Sequence, residues 1–393
     1  MAGPTPTAAF PFIEVTIVPP PPPLTERSPG VIAIVGKAPA GNNGGAAPAN
    51  TPVAVETLDD AVTNFARLQA GSVVHNALYD SLELAMLQDP RPSKIYGVKV
   101  AGDDYAAALG GLEAADDVTM VSLANEAAVG AEASGGNPPT NLQGLKAHVE
   151  NMSAGGQRRI GFAMVDPAKD KSPTYVNEVL AAAEPLKSST SRMVMVAARG
   201  ADADTATAAM AAVAGLPVHF SIVLKKIRGV TMPVAKQYSP SEIKQLSEAN
   251  IVPIIDPALI VGESLHFADG RLFTSDFSIL YVDQQRTTDQ IEFELRAGLI
   301  GLIGDARITK AGMTLLKTQV DGILGGLKRQ TVIDDYTIQI PVLDILSIPE
   351  ASLSAADTAI LTAARANRTV DFVITVFLGP AVSRLLVTFV TRF

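Results

Sequence analysis

The hydrophobic pattern at the start of the chain predicts two strands joined by a proline-rich spacer. Residues 12–18 (FIEVTIV) alternate between apolar and polar positions and are rich in β-branched side chains, which is typical of a strand. Residues 29–36 (PGVIAIVG) form a continuous apolar run between Pro29 and Gly36, which predicts a strand buried on both faces. Between them, five consecutive prolines favour an extended polyproline segment.

Two segments with helical periodicity and another predicted strand follow. Residues 56–68 place Leu58, Val62 and Phe65 on one helical face, and residues 72–88 repeat this pattern. The second helix presents Val74, Leu78, Leu82 and Ala85. Residues 94–100 (KIYGVKV) predict a strand, so residues 29–100 read as β-α-α-β.

The middle of the chain alternates strand and helix patterns. Strands are predicted at residues 116–123, 158–166, 191–198 and 217–224, and helices at residues 141–153 and 174–187. This alternation predicts an α/β layer architecture. A capping box at Ser239 and Glu242, with Pro240 at the first helical position, predicts that a further helix begins there.

The last third predicts two long helices between strands. A strand is expected at residues 277–285 and a helix at residues 287–304, with Thr287 and Gln290 as its capping box. Residues 309–330 predict a second long helix that buries Met313, Leu316, Val320, Ile323 and Leu327. Two strands, residues 368–378 and 383–393, are expected to close the chain.

Composition narrows the possible functions. The chain has 393 residues, 47% of them hydrophobic, enough for two or three domains. A net charge of −9 and a pI near 5.0 argue against a nucleic-acid partner. The start of the chain lacks the pattern of a secretory signal, and no apolar run approaches the roughly 20 residues that span a bilayer, so no membrane insertion is expected. A charged fraction of only 18% suggests that much surface is covered in an assembly.

The motifs predict no active site, cofactor or metal centre. Gly36-Lys37 lacks the glycine five residues earlier, the Ser or Thr and the following helix of a phosphate-binding loop. Cysteine is absent, and no serine lies in a nucleophile elbow. None of the four histidines, His75, His148, His219 and His266, has a second histidine or an acid at metal-binding spacing. We therefore expect that the protein is not an enzyme.

The last long helix carries a basic stripe. Lys310, Lys317 and Lys328 follow one helical face together with Asp321. Such a stripe fits an acidic partner, and it equally fits the solvated edge of an amphipathic helix.

Both ends of the chain predict strands that pair with other copies. The first strand carries Phe12, Ile13, Val15 and Ile17, and the last carries Leu385, Val387, Phe389 and Phe393 on one face. A lone strand leaves its amides unpaired, so it needs the edge of another sheet. The ten-residue spacer from Pro19 to Ser28 reaches about 30 Å and is stiffened by proline, which favours docking on a neighbour. Head-to-tail pairing of this kind builds rings or helical filaments.

The chain resembles the contractile tail sheath proteins of phages, R-type pyocins and related extracellular injection systems. The resemblance lies in residues 28–41 (SPGVIAIVGKAPAG), residues 51–102, residues 246–299 and residues 366–393. It implies an α/β, multi-domain sheath fold. That fold has an N-terminal arm at 1–28, a discontinuous core at 29–100 plus 255–378, an inserted outer domain at 101–254 and a C-terminal arm at 379–393.

The resemblance also implies a function. Subunits would stack as six-membered rings around an inner tube protein, complete shared sheets through their terminal arms, and contract to drive the tube through an envelope. Lys310, Lys317 and Lys328 would face the tube. Baseplate and tail terminator proteins would be further partners, with assembly in the bacterial cytoplasm into a virion tail or a phage-tail-like particle. A static lattice or shell protein, or an α/β enzyme whose site the sequence hides, stay as alternatives.

Overall fold

A computed structural model describes residues 28–39, 41–128, 140–260 and 264–381. Within these ranges the strands are β1 Val31–Gly36, β2 Pro52–Val55, β3 Arg67–Gln69, β4 Ser72–Val74, β5 Lys94–Lys99, β6 Met120–Ala128, β7 Ile160–Val165, β8 Met193–Ala197, β9 Lys226–Ile227, β10 Val252–Ile255, β11 Leu265–Phe267, β12 Asp335–Gln339 and β13 Val373–Phe377. The helices are α1 Leu58–Phe65, α2 Ala77–Met86, α3 Tyr105–Gly111, α4 Thr140–Ala154, α5 Tyr175–Ala183, α6 Thr205–Ala214, α7 Pro240–Glu248, α8 Val282–Leu299, α9 Lys310–Arg329, α10 Pro341–Leu346 and α11 Ala355–Asn367.

A nine-stranded sheet in the order β2-β5-β1-β6-β7-β8-β10-β11-β9 forms the body of the molecule. The six strands from β5 to β10 are parallel. At one side β2 pairs antiparallel with β5, and at the other β11 pairs antiparallel with β10 and β9 with β11. Every residue of β1, β7 and β8 is buried, so helices cover both faces of the sheet. This architecture confirms the predicted α/β class.

The sheet continues across the boundaries expected for the inserted domain. Strand β1 pairs with β5 on one side and with β6 on the other, and one hydrophobic cluster extends from Val31 to Val282. Residues 100 and 255 therefore do not mark a break in this core. The division at these residues stays a prediction about roles in an assembly.

A smaller C-terminal unit has two cores of its own. In one, Val320, Leu324 and Leu327 of α9 pack with Ile291 of α8 and with the sheet of β12 and β13. In the other, Met313 of α9 packs against α10 and α11. Helix α9 begins at Lys310, close to the predicted start, with Thr309 as its N-cap, and it buries most of the predicted face.

Several sequence predictions of secondary structure are wrong. Residues 217–224 form turns rather than a strand, with Leu224 at a positive φ of 58°. Residues 277–280 are also irregular, and α8 begins at Val282, so Thr287 lies inside the helix and does not cap it. Residues 72–74 form β4, paired with β3, because Asn76 caps α2 and delays its start to Ala77.

Two fully buried arginines stabilise the body of the molecule. Arg199 is fully buried between the rings of Tyr175 and Tyr238 and pairs with Glu242 of α7 at 2.8 Å. Burial alone would raise the pKa of Glu242, but hydrogen bonds from Arg199 and Ser239 hold it at about 2. Ser239 is the predicted cap, and its capping box is confirmed.

The second group lies under α4. Arg159 is fully buried and lies 2.8 Å from His148 Nε2, and it donates to the carbonyls of Leu112 and Ala115. Burial, and then the Arg159 charge, lower the pKa of His148 to about 4. The histidine is therefore neutral near pH 7.

Candidate assembly surface

Strands β12 and β13 form a separate two-stranded antiparallel sheet. Asp335 pairs with Phe377 and Gln339 with Val373, in continuous register. Tyr336, Ile338, Ile374 and Val376 form the inner face and pack on the core shared by α8 and α9. The Tyr336 hydroxyl also donates to Asp321 of α9 over 2.8 Å, which fixes the sheet against that helix.

The outer face of this sheet is exposed and partly apolar. Val373 and Phe377 are each 50% exposed, and Thr337 and Thr375 lie opposite one another between them. In the part of the chain that the structure describes, neither outer edge of the pair is hydrogen-bonded to a further strand. Two-stranded sheets are marginal alone and gain stability from added strands. Each edge can therefore accept one extended segment by β-augmentation.

The predicted donor strands lie outside the described residues. This applies to Phe12, Ile13, Val15 and Ile17 at one end and to Leu385, Val387, Phe389 and Phe393 at the other. The described chain ends at Ala381, four residues after β13. The first of the two predicted C-terminal strands is confirmed as β13, although it is shorter than residues 368–378.

The three lysines of α9 differ in their surroundings. Lys328 pairs with Asp335 of β12 at 2.7 Å, and this hydrogen bond lowers the pKa of that exposed carboxyl group. Lys310 and Lys317 are exposed, and no ion pair to either occurs among the described residues. The N-terminal half of α9 therefore carries the available positive charge, and its C-terminal end anchors the small sheet.

Helix α8 joins the large sheet to this unit. Its first residue, Val282, belongs to the core of the body, whereas Ile291, Leu295 and Leu299 belong to the core under β12 and β13. Two ion pairs fix the helix at the amino ends of the parallel strands. Arg192, just before β8, binds both oxygens of Asp289 at 2.6 and 3.0 Å, and Arg158, before β7, binds Glu292 at 2.6 Å.

The Arg192–Asp289 pair is the more buried of the two. The side chains are 6% and 15% exposed. Burial raises the pKa of Asp289 even though Arg192 opposes this effect. Taking the carboxylate out of water therefore costs more than the pairing returns, which is common for buried ion pairs.

The residues that the sequence offers for catalysis or ligand binding mostly make contacts that stabilise the fold. Lys37 pairs with Asp103 at 2.6 Å, and a Cβ at Gly36 would lie 2.4 Å from Ala124, so this glycine allows close strand packing rather than phosphate binding. The expectation that no histidine has an acid at metal-binding spacing is wrong for His75. Its Nδ1 lies 2.6 Å from Asp80, and one ligand atom each of His75, Asp80 and Glu83 lie within 4.8 Å of one another. The sequence feature that could have predicted this contact is the position of His75 directly before Asn76, the cap of α2. His75 and Asp80 are exposed, and these groups line a cleft of about 310 Å³.

No helix in the described ranges combines the length and the apolar composition needed to cross a membrane.

Comparison with known proteins identifies the fold. No protein-family model matches the chain, and no curated protein matches it either. Solved structures do. The helical sheath of the anti-feeding prophage in its contracted state matches with a TM-score of 0.66 at 12% identity, covering 99% of this chain and 100% of that one.

Two further sheath structures agree. The contracted sheath complex of the extracellular contractile injection system PVC matches with a TM-score of 0.66 at 12% identity, covering 99% of each chain. The crystal structure of a sheath tail protein from Desulfitobacterium hafniense matches with a TM-score of 0.56 at 11% identity, covering 84% of this chain and 93% of that one. The chain therefore has the fold of the contractile tail sheath proteins, as the sequence resemblance predicted.

Proposed function

We propose that this protein is the structural subunit of a contractile sheath. It polymerises as stacked six-membered rings around an inner tube and contracts to drive the tube through a target envelope. The observation that carries the proposal is the small sheet of β12 and β13, whose two edges are open within the described residues, in a chain whose two ends predict strands.

The dimensions of the sheet suit this arrangement. Each strand has five residues, about 17 Å at roughly 3.4 Å per residue, and the segment 12–18 has seven. One neighbour would supply its N-terminal strand to one edge, and another neighbour its C-terminal strand to the second edge. The result is a four-stranded sheet built from three copies, which links the rings into a continuous mesh.

Contraction needs no nucleotide in this account. The extended sheath is metastable, and a kinetic barrier holds it until a trigger releases it. The bodies then gain contacts with one another while the paired arms keep the mesh intact. The ion pairs of α8 make the body and the small sheet move together, so that a rotation of the body is transmitted to the mesh.

The partners follow from the same proposal. They are other copies of this chain, an inner tube protein, and baseplate and terminator proteins at the ends of the sheath. Two structures that the chain resembles are baseplates of the anti-feeding prophage, which supports a baseplate partner. The exposed Lys310 and Lys317 would face an acidic tube, and Lys328 would contribute less because it is bound to Asp335. Residues 101–254 would face outward, and assembly would take place in the bacterial cytoplasm.

Deletion of the N-terminal strand tests the proposal. A variant without residues 1–23 should stay folded and soluble but fail to form cylinders under the electron microscope. The matched control lacks only residues 1–11, keeps the strand 12–18, and should polymerise. Cylinders from the longer deletion would refute the role of this arm. Flat sheets or closed shells from the full chain would instead favour a static lattice protein.

A further inference from the structure

Arg286 of α8 is a buried arginine with an unsatisfied donor. The residue is 4% exposed. One terminal nitrogen donates to the carbonyl of Leu216 over 2.9 Å, and the other lies 3.4 Å from the carbonyl of Pro217. The Nε atom is buried and has no hydrogen-bond partner among the described residues. Buried polar groups are nearly always hydrogen-bonded, so an orphaned guanidinium donor points to a missing acceptor.

Arg286 also makes no ion pair within the described residues. Its hydrogen-bond contacts are neutral carbonyls, and Asp283 of the same helix acts on it only through its charge, without a hydrogen bond between the two side chains. The two other charged residues around the same cavity are already paired, Asp289 with Arg192 and Arg158 with Glu292. Among the described residues, Arg286 is therefore the charged group at this cavity that has no ion pair, and a buried charge without a paired partner is costly unless an anion joins it.

A cavity of about 30 Å³ lies beside Arg286. Pro29, Thr119, Ile160 and Val218 form part of its wall. A water needs about 10–15 Å³ of such volume, so the space accepts one or two water-sized groups. The site thus offers one charged donor without a hydrogen-bond partner, and little room.

We propose that Arg286 and this cavity bind one small monovalent anion, either a halide or a carboxylate group. The size of the cavity and the single unpaired charge select this class. The anion can come from solution, or a carboxylate of a second copy of the chain can supply it. The site lies where α8 crosses the amino ends of the parallel strands, so its occupancy would stabilise the joint between the body and the small sheet.

Thermal unfolding of the dilute, unassembled full chain tests the proposal. Sodium bromide and sodium formate are compared with sodium gluconate, whose anion is too large, at constant ionic strength. We expect the Tm to rise by about 1–3 °C at ten times the Kd of the small anion. Arg286→Met should abolish this difference, whereas Arg228→Met, which removes an exposed arginine paired with Asp89, should keep it. Equal Tm values in all three salts would overturn the proposal.

A direct measurement covers the case in which Arg286→Met fails to fold. Crystals of the full chain grown in bromide should show an anomalous peak within hydrogen-bonding reach of Arg286 Nε, and absence of a peak there would overturn the proposal. Bromide bound in both the unassembled and the polymerised chain identifies a free ion. Bromide bound only before polymerisation identifies a carboxylate of a neighbouring copy. Neither result depends on whether the polymer contracts.

Discussion

Removing the buried carboxylate of α8 is the sharpest test of how the two parts of the molecule are joined. In Asp289→Asn the side chain keeps its shape, but Arg192 loses its counterion. Arg192 is only 6% exposed, so its charge stays out of water without compensation. We expect a large loss of stability because breaking a buried pair from one side costs about 3–5 kcal/mol.

The expected change in Tm follows from the size of the chain. Unfolding entropy is about 2.1 cal/mol/K per residue, which for 393 residues gives about 0.8 kcal/mol per degree. A loss of about 3–5 kcal/mol therefore lowers the Tm by about 4–6 °C. Differential scanning calorimetry of the dilute, unassembled chain at pH 7 measures this change.

Two comparisons make the result specific. Glu248→Gln breaks the exposed pair with Lys244, whose atoms are 3.8 Å apart, and should change the Tm by less than about 1 °C. The double variant Arg192→Met/Asp289→Asn should be more stable than Asp289→Asn alone, because no charge is left buried. A shift for Asp289→Asn no larger than that of Glu248→Gln would refute the reasoning.

The remaining predictions concern pH and the tube. The folded pKa of Glu242 is about 2 against an ordinary 4.5, so its ionised form stabilises the folded chain fully above about pH 4.5, and this stabilisation is lost as the pH falls towards 2. Glu242→Gln should remove this part of the pH dependence of the unfolding free energy, about 3 kcal/mol, as measured by urea unfolding. The folded pKa of His148 is about 4 against an ordinary 6.5, so its contribution to the unfolding free energy is full above about pH 6.5 and falls towards pH 4. The unfolding free energy of His148→Gln should therefore depend less on pH between 4 and 6.5. Lys317→Glu should weaken co-sedimentation with an acidic tube protein more at low salt than at high salt, whereas Lys244→Glu on α7 should not.

The strands of the body could be predicted because their patterns are local. The continuous apolar run at residues 29–36 became β1, and residues 94–100 became β5. The capping box at Ser239 marked the start of α7 because side-chain caps act within four residues. Helix α9 was predicted from its helical period over residues 309–330.

Helix α6 could not be predicted because it has no polar face. All ten of its residues are buried, and a sequence made mostly of alanine, with no charged residue, gives no helical period to detect. The strand predicted at residues 217–224 was wrong for the opposite reason. They have the alternation of a strand, but buried positions such as Val218 and Ile222 also occur in a tightly packed turn.

The assembly surface was predictable only in part. The terminal strands were recognisable as segments that need a partner, but the sheet that could receive them was not, because its pairing depends on residues about 40 positions apart. The same is true of α8: Arg192 and Asp289 are 97 residues apart, and no local pattern links them.

Electron cryo-microscopy of the polymer formed by the full chain would decide whether the proposed assembly is right. We expect hollow helical cylinders with six subunits in each ring, in which strands from two neighbouring copies lie against the outer edges of β12 and β13. A polymer in which those edges stay unpaired, or an assembly without a central channel for a tube, would contradict it.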